Sequence, residues 1–157
     1  MIIDSEKLFV PFYNHKKLPQ SFIVSDQDYF CPTDLMIKNE IYPKFTWWLR
    51  SMQWAKWKHR WDCDNFADAF KLFSCGYYES TIESTANGIA IGTMFYNANQ
   101  KAEDGLKGGH AINIIYAEDE KNDDGTENFK LLFFEPQNGQ FYNLSEEEFN
   151  SIWVVYI

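Results

Sequence analysis

The segment at residues 62–78 restricts the fold of this chain more than any other part of the sequence. Four aromatic residues recur in it at the i, i+4, i+7, i+11 spacing of one helix face, namely Phe66, Phe70, Phe73 and Tyr77. Asp62, just before this face, has the side chain of a helix N-cap. The spacing therefore predicts an amphipathic helix with a buried aromatic face. Cys63 lies on that face, at the N-terminal end of the helix.

Shorter helices are predicted earlier in the chain. Pro43 is suited to the first turn of a helix that runs to about residue 52. Thr33 is a candidate N-cap for a short helix over residues 33–39. Residues 1–32 contain three prolines among apolar residues, which indicates extended segments and loops.

The pattern after residue 78 is that of β-strands. Strands are predicted at residues 89–97, 108–117, 129–135, 141–142 and 152–157. Ser145 and Glu148 match a capping box, which predicts a short helix before the last strand. Because helices come first and strands follow, the sequence predicts an α+β fold with helices packed on an antiparallel sheet.

Length and charge narrow the classes of function. The 157 residues, 45% of them hydrophobic, are sufficient for a single domain spanning residues 1–157. A formal net charge of −9 without a basic stripe disfavours binding to nucleic acid or to an anionic membrane. No apolar run reaches the ~20 residues of a membrane span, and the N-terminus does not resemble a signal peptide. The three cysteines form no CxxC pair, so a reducing, cytoplasmic location is favoured.

His110 and Glu135 are predicted to meet across a hairpin. The strands that carry them flank an acidic loop at residues 118–127. If the hairpin closes symmetrically around this loop, His110 lies directly opposite Glu135, with the Cβ atoms ~4.5–5.5 Å apart. A register error of one residue would put the two side chains on opposite faces of the sheet.

A cysteine at a helix start, a histidine and a carboxylate are the groups of thiolate nucleophilic catalysis. A helix N-terminus favours a thiolate, and an adjacent imidazole accepts the thiol proton. A carboxylate on the other imidazole nitrogen fixes its tautomer and orientation. Cys63, His110 and Glu135 are the candidates for these three roles. The other histidines, His15 and His59, fall in segments with loop or solvated character.

Three motifs, in the order Cys, His, Glu, resemble a known family. They are WDCDNFADAF at 61–70, GGHAINII at 108–115 and FFEPQNGQFY at 133–142. They resemble the papain-like cysteine peptidase domain at the C-terminus of the fungal lectin Marasmius oreades agglutinin, within the papain and transglutaminase-like superfamily. The resemblance covers about residues 60–157 and implies a papain-like fold whose buried nucleophile helix packs on the antiparallel sheet.

The resemblance also implies roles for individual residues. Cys63 is implied as the nucleophile, His110 as the general base and acid, and Glu135 as the acid that orients His110. It further implies a divalent metal, calcium by preference, for which Asp64, Gln137 and Asn138 offer oxygen ligands.

The donors for an oxyanion are a departure from the papain pattern. Papain-type enzymes place a glutamine shortly before the nucleophile, and none lies between Gln53 and Cys63 here. The indole N–H groups of Trp57 and Trp61 and the backbone N–H of Cys63 are therefore the candidate donors.

These features predict a cysteine peptidase or amidase-type hydrolase that acts on a peptide or protein substrate through a thioester intermediate. Two alternatives remain open. One is a transglutaminase-like acyltransferase, and the other is a non-catalytic papain-like module for binding or dimerisation. The sequence leaves the oligomeric state open, a homodimer included.

Two other metal sites are weighed and disfavoured. Zinc held by Cys63, His110 and Glu135 would lack the closely spaced ligand pairs of structural zinc sites. Part of the acidic loop matches an EF-hand at Glu120, Asn122, Asp124 and Gly125. The twelfth position of that match falls on Leu131 instead of a glutamate, so we interpret residues 118–127 as a solvated hairpin loop.

Overall fold

The computed structural model describes residues 1–15, 18–98, 108–122 and 128–157. The strands within these residues are β1 (Ile2–Asp4), β2 (Ser21–Ile23), β3 (Asp28–Phe30), β4 (Gly88–Ile89), β5 (Ile91–Ala98), β6 (Gly108–Asp119), β7 (Asn128–Glu135), β8 (Gln140–Tyr142) and β9 (Val154–Tyr156). The α-helices are α1 (Val10–Asn14), α2 (Asp34–Met36), α3 (Tyr42–Ser51), α4 (Cys63–Thr81) and α5 (Glu146–Asn150). A 3-10 segment, Ser5–Phe9, precedes α1, and a π-helical segment, Ile37–Ile41, joins α2 to α3.

The described strands form two sheets. The smaller has the order β1-β3-β4, and the larger has the order β2-β9-β5-β6-β7-β8. Strands β5 to β8 pair antiparallel with their neighbours, as does β9 with β5. Strand β2 pairs parallel with β9, so the larger sheet is mixed.

An apolar cluster covers each face of the larger sheet. We call the first the helix-side core; in it the aromatic face of α4 and residues of α3 pack on the sheet, with Phe45, Phe66, Phe70, Ile91, Ile115 and Phe134 buried. We call the second the N-terminal core; there the residues of the first segments and of α5 meet the other face, with Leu8, Phe12, Met94, Ile114, Phe149 and Val155 buried. Neighbouring residues of β6 alternate between the two cores, as the pleat requires.

Several predicted elements are confirmed. Helix α4 begins at Cys63 with Asp62 as N-cap, and it extends to Thr81. The predicted cap of α2 is present, since the Met36 N–H donates to Thr33 Oγ1 at 3.1 Å. The capping box before α5 is present as well, and the strands lie within a few residues of their predicted positions.

The predicted order of elements is wrong. The sequence was expected to give helices followed by an antiparallel sheet, but β1, β2 and β3 precede α2, and the larger sheet contains a parallel pair. Residues 10–14 form a helix instead of an extended segment, because Pro11 lies in the first turn, where its missing N–H is not needed. None of the helices in the described residues combines the length and the apolar character that crossing a membrane requires.

Candidate functional site

Cys63 occupies the first position of α4. The helix start is fixed locally, because the backbone N–H of Asp62 donates to Asn65 Oδ1 at 3.2 Å. The side chain of Cys63 is half-buried, whereas Cys31 is buried and Cys75 is exposed; none of these three described cysteines forms a disulfide. Cys63 is therefore a thiol at a helix N-terminus, within reach of both the sheet and the surface.

His110 lies between Cys63 and Glu135. Its Nε2 is 2.7 Å from Glu135 Oε2, and its side chain also hydrogen-bonds that of Cys63. The carboxylate side chain is only 6% exposed, whereas the imidazole is 28% exposed. The structure thus brings together the three residues that the sequence singled out, from α4, β6 and β7.

The register of the hairpin differs from the predicted one. His110 was expected directly opposite Glu135, but Asn113 pairs with Phe134 and Glu118 pairs with Phe129, which shifts the register by two residues. The strands end at Asp119 and Asn128, so the turn is not symmetric about residues 118–127. A shift of two residues preserves the face of each side chain, so His110 and Glu135 meet diagonally.

The turn after β7 holds the carboxylate of Glu135. The Gln137 N–H donates to Glu135 Oε1 at 3.1 Å, and the Gly139 N–H donates to the Glu135 carbonyl oxygen at 2.8 Å. Gly139 has φ +73°, and a Cβ there would collide with the ring of Tyr42. Glycine is therefore required for this turn to close against α3.

The charge of His110 follows from its neighbours. Burial lowers the pKa of its imidazole, but the hydrogen bonds and negative charge of Cys63 and Glu135 outweigh burial and raise the pKa to about 9. At neutral pH the ring is therefore an imidazolium with N–H donors on both nitrogens. A protonated imidazole beside a thiol favours the thiolate and so nucleophilic reactivity of the sulfur. Tyr96, whose ring lies 5.8 Å from that of His110, borders the pair on β5.

The tryptophans predicted as oxyanion donors lie in different environments. Trp57 is 55% exposed. Trp61 packs between Trp54 and Phe66, with ring centroids 4.7 and 5.7 Å away, and its Nε1 is buried without a hydrogen-bond partner in the described residues. The donor role of both indoles stays a prediction.

Two of the three predicted calcium ligands, Asp64 and Asn138, use a side-chain oxygen locally. Asp64 Oδ1 accepts from the Asn65 N–H at 2.9 Å, at the start of α4. Asn138 Oδ1 accepts from the Gln140 N–H at 2.9 Å, and its Nδ2 donates to the Tyr142 hydroxyl. Since two of the three predicted ligands already use an oxygen at a helix start or in a turn, the donor set is not preorganised for calcium, and the calcium site stays a prediction.

The zinc and EF-hand alternatives receive no support in the described residues. The described residues contain no group of three or more His, Cys, Asp or Glu side chains that could hold a metal ion. Hydrogen bonds to Cys63 and Glu135 already engage the imidazole of His110. Asp124 and Gly125, which belong to the EF-hand match, lie outside the described residues.

Sequence reasoning missed a set of polar residues beneath α4. Thr93 and Asn113 are fully buried in the otherwise apolar strands β5 and β6. Their signal was present, because a polar residue inside the runs IGTMF and AINII falls where the strand pattern predicts an apolar one.

The comparisons with known proteins identify a family. A family model described as the Ricin-type beta-trefoil lectin C-terminal domain matches residues 12–156. Because this match spans most of the chain, the chain belongs to this family of lectin C-terminal domains. No curated protein matches the chain.

Two solved structures share the fold. One, described as a PSL1a-E64 complex, is 22% identical with a TM-score of 0.69 and matches 99% of this chain and 51% of its own. The other is Polyporus squamosus lectin bound to the human-type influenza-binding epitope Neu5Aca2-6Galb1-4GlcNAc, 23% identical with a TM-score of 0.69, matching 99% and 49%. This chain therefore spans about half the length of these structures.

These findings correct the prediction in several respects. The papain-like fold class is wrong, since the matching fold, built mostly on sheets, is that of a lectin. The prediction of an enzyme, as a cysteine hydrolase or thiol protease, is contradicted by the same lectin family. The likeness to the C-terminal domain of a fungal lectin is the part of the resemblance that the family supports. The ligands named for the two structures are E64 and a glycan, not a peptide substrate.

Proposed function

We propose that the chain is a ligand-binding module of a lectin-type protein, and that its ligand contacts the thiol site formed by Cys63, His110 and Glu135. The observation that carries the proposal is the half-buried thiol beside an imidazole that a buried carboxylate holds. A strongly perturbed titratable group at an accessible position is typical of functional sites. Of the alternatives that the sequence left open, the non-catalytic binding module is the one that agrees with the lectin family.

The ligand named for one neighbour supplies the first probe. The PSL1a structure is described as a complex with E64, and we propose that this chain binds E64 at Cys63. The glycan named for the other neighbour is a second probe, because its binding at the same surface would shield the thiol. The calcium site, the homodimer and a cytoplasmic location stay proposals beside this one.

The test measures the alkylation rate of each of the three cysteine thiols separately. The whole chain is treated with iodoacetamide at neutral pH, with and without E64 or Neu5Aca2-6Galb1-4GlcNAc, and labelled peptides are quantified by mass spectrometry. We expect Cys63 to react at least about ten times faster than Cys31 and Cys75, because the imidazolium of His110 and the helix N-terminus favour a thiolate. Cys31 is buried, and although the side chain of Cys75 is exposed, desolvation by its neighbours raises the pKa of its thiol.

Binding is then assigned to the site. We expect E64 to protect Cys63 from iodoacetamide and to bind Cys63→Ala more weakly than the parent chain, while Cys75→Ala, the matched control, behaves like the parent. Equal labelling of all three cysteines, with no protection by either probe, would refute the thiol site. Release of fragments from a peptide mixture, lost in Cys63→Ala, would refute the proposal that the module only binds.

A further inference from the structure

Three polar side chains form a row across the larger sheet, directly beneath α4. Tyr156 on β9 is the register partner of Thr93 on β5, which is in turn the register partner of Asn113 on β6. We call these three residues the polar row. It runs at right angles to the strands through the helix-side core, where the flanking residues Ile91 and Ile115 are apolar.

Every member of the polar row bonds the same turn of α4. Asn113 Nδ2 donates to the Ala67 carbonyl oxygen at 2.8 Å and to that of Gly92 at 3.1 Å. Thr93 Oγ1 donates to Asp68 Oδ1 at 2.9 Å, and the Tyr156 hydroxyl donates to the same carboxylate oxygen. Three adjacent strands thus hold two consecutive residues of one helix.

The turn that is held lies next to the thiol site. Ala67 is one helical turn after Cys63, and Asn113 is three residues after His110 on β6. The polar row therefore connects the helix that carries the thiol to the strand that carries the imidazole. Apolar packing is non-directional, whereas hydrogen bonds fix both the distance and the rotation of a helix over a sheet.

Asn113 lowers the stability of the core position that it occupies. Its Oδ1 is buried and has no hydrogen-bond partner in the described residues. An unpaired buried oxygen destabilises a fold, and an apolar residue of similar volume would avoid that loss. Proteins break such rules of stability most often where a site needs a defined geometry.

We propose that the polar row is a positioning device, in which Asn113 and Thr93 set the place of Cys63 relative to His110. The inference rests on the proposed function, since it concerns the same thiol site. The groups that face His110 are Cys63 from α4, Glu135 from β7 and Tyr96 from β5. Cys63 is the one among them that a helix carries, so its contact with His110 is the one that the polar row controls.

The experiment compares Asn113→Leu and Thr93→Val with a matched control, Ser74→Ala. Ser74 is buried on α4, and its hydroxyl donates to the Phe70 carbonyl oxygen at 2.8 Å within the same helix. The control therefore removes a buried hydrogen bond of α4 without cutting a bond to the sheet. The titration of His110 is followed by NMR in the whole chain, and the iodoacetamide rate of Cys63 is measured across pH.

In Asn113→Leu we expect His110 to titrate about one pH unit lower than in the parent chain, because it keeps Glu135 but loses Cys63. We expect alkylation of Cys63 at pH 7 to slow by about ten-fold. The lost contact with the imidazolium disfavours the thiolate by the same free energy that lowers the titration of His110, and one pH unit is a factor of ten. Thr93→Val should shift both quantities in the same direction by less, and Ser74→Ala should leave both unchanged.

The inference is overturned if the polar-row variants, at a stability equal to that of Ser74→Ala, keep the parent titration and rate profile. If Asn113→Leu does not fold, Thr93→Val tests the inference instead, because valine only replaces the threonine hydroxyl with a methyl group. Failure of the parent chain to bind E64 would contradict the proposed function alone, because the titration and the alkylation rates do not depend on E64.

Discussion

The two faces of the larger sheet are held in different ways. The N-terminal core is joined mainly by apolar and aromatic contacts, such as Phe12 with Phe149 at a centroid distance of 5.3 Å. The helix-side core adds directional bonds from Asn113 and Thr93 to α4. Non-directional packing sets how strongly a face is covered, whereas directional bonds set where the covering element lies. The N-terminal core has a buried directional bond of its own, from the Tyr116 hydroxyl to the Leu8 carbonyl oxygen. What distinguishes the helix-side core is that several such bonds converge on one turn of α4.

The largest expected effect is on the N-terminal core. Ile114 is fully buried there, so Ile114→Ala should lower the free energy of unfolding by about 2–5 kcal/mol, the range for deleting a large buried aliphatic side chain. Urea unfolding measures this loss. We expect the folded variant to alkylate at Cys63 with the parent rate, because the polar row is on the other face. Parent stability in this variant, or a much slower alkylation of Cys63, would contradict the prediction.

A smaller effect is expected at the end of the sheet, where His110 meets Glu135. The folded pKa of His110, about 9, lies above its ordinary value of 6.5, so the charged ring stabilises the fold below pH 6.5. That contribution is lost as the pH rises from 6.5 through 9, and it is on the order of 1–3 kcal/mol. Glu135→Gln should lower the pKa of His110 and flatten the fall in stability over this window.

Urea unfolding at intervals from pH 6 to pH 9.5, with NMR titration of His110, checks this prediction. His15 and His59 report any general effect of pH on the imidazole signals in the same sample. If the free energy of unfolding falls by the same amount between pH 6.5 and 9 in Glu135→Gln and in the parent chain, then Glu135 does not stabilise the charged form of His110.

The smallest expected effect is that of calcium. Because Asp64 and Asn138 use their oxygens within a helix start and a turn, we expect the Tm in EGTA and in excess calcium to agree within about 2 °C. Thermal unfolding followed by circular dichroism measures both. A larger rise with calcium, abolished in Asn138→Ala, would show that an ion orders the turn after β7 and would restore the predicted metal site.

Local patterns explain which elements were predictable. The helix from residue 62 was predictable because aromatic spacing, the N-cap at Asp62 and the burial of Phe66 and Phe70 all agree. His110 and Glu135 met despite a wrong register, since an error of two residues leaves the face of each side chain unchanged.

Long-range pairing explains what was not predictable. Nothing local marks β2 as the parallel neighbour of β9, because Phe22 and Val155 are partners from opposite parts of the chain. The polar row was missed for a related reason: Thr93 and Asn113 gain their meaning only when β5, β6 and β9 are aligned beneath α4. The activity was misjudged because the motif around Cys63, His110 and Glu135 describes a local geometry, and function does not follow from fold or motif alone.

The place of β9 inside the sheet also bears on how the chain folds. Strand β9 lies between β2 and β5, so both of its partners precede it by a long stretch of chain. Pairings at such separation must overcome a large loss of chain entropy before any contact stabilises them, which slows folding. Tyr156 can bond Asp68 only once β9 is in place. The bonds from Asn113 and Thr93 to α4 need only β5, β6 and the helix, whereas the bond from Tyr156 also needs this long-range strand pairing, so the polar row is complete only when the last strand has joined the sheet.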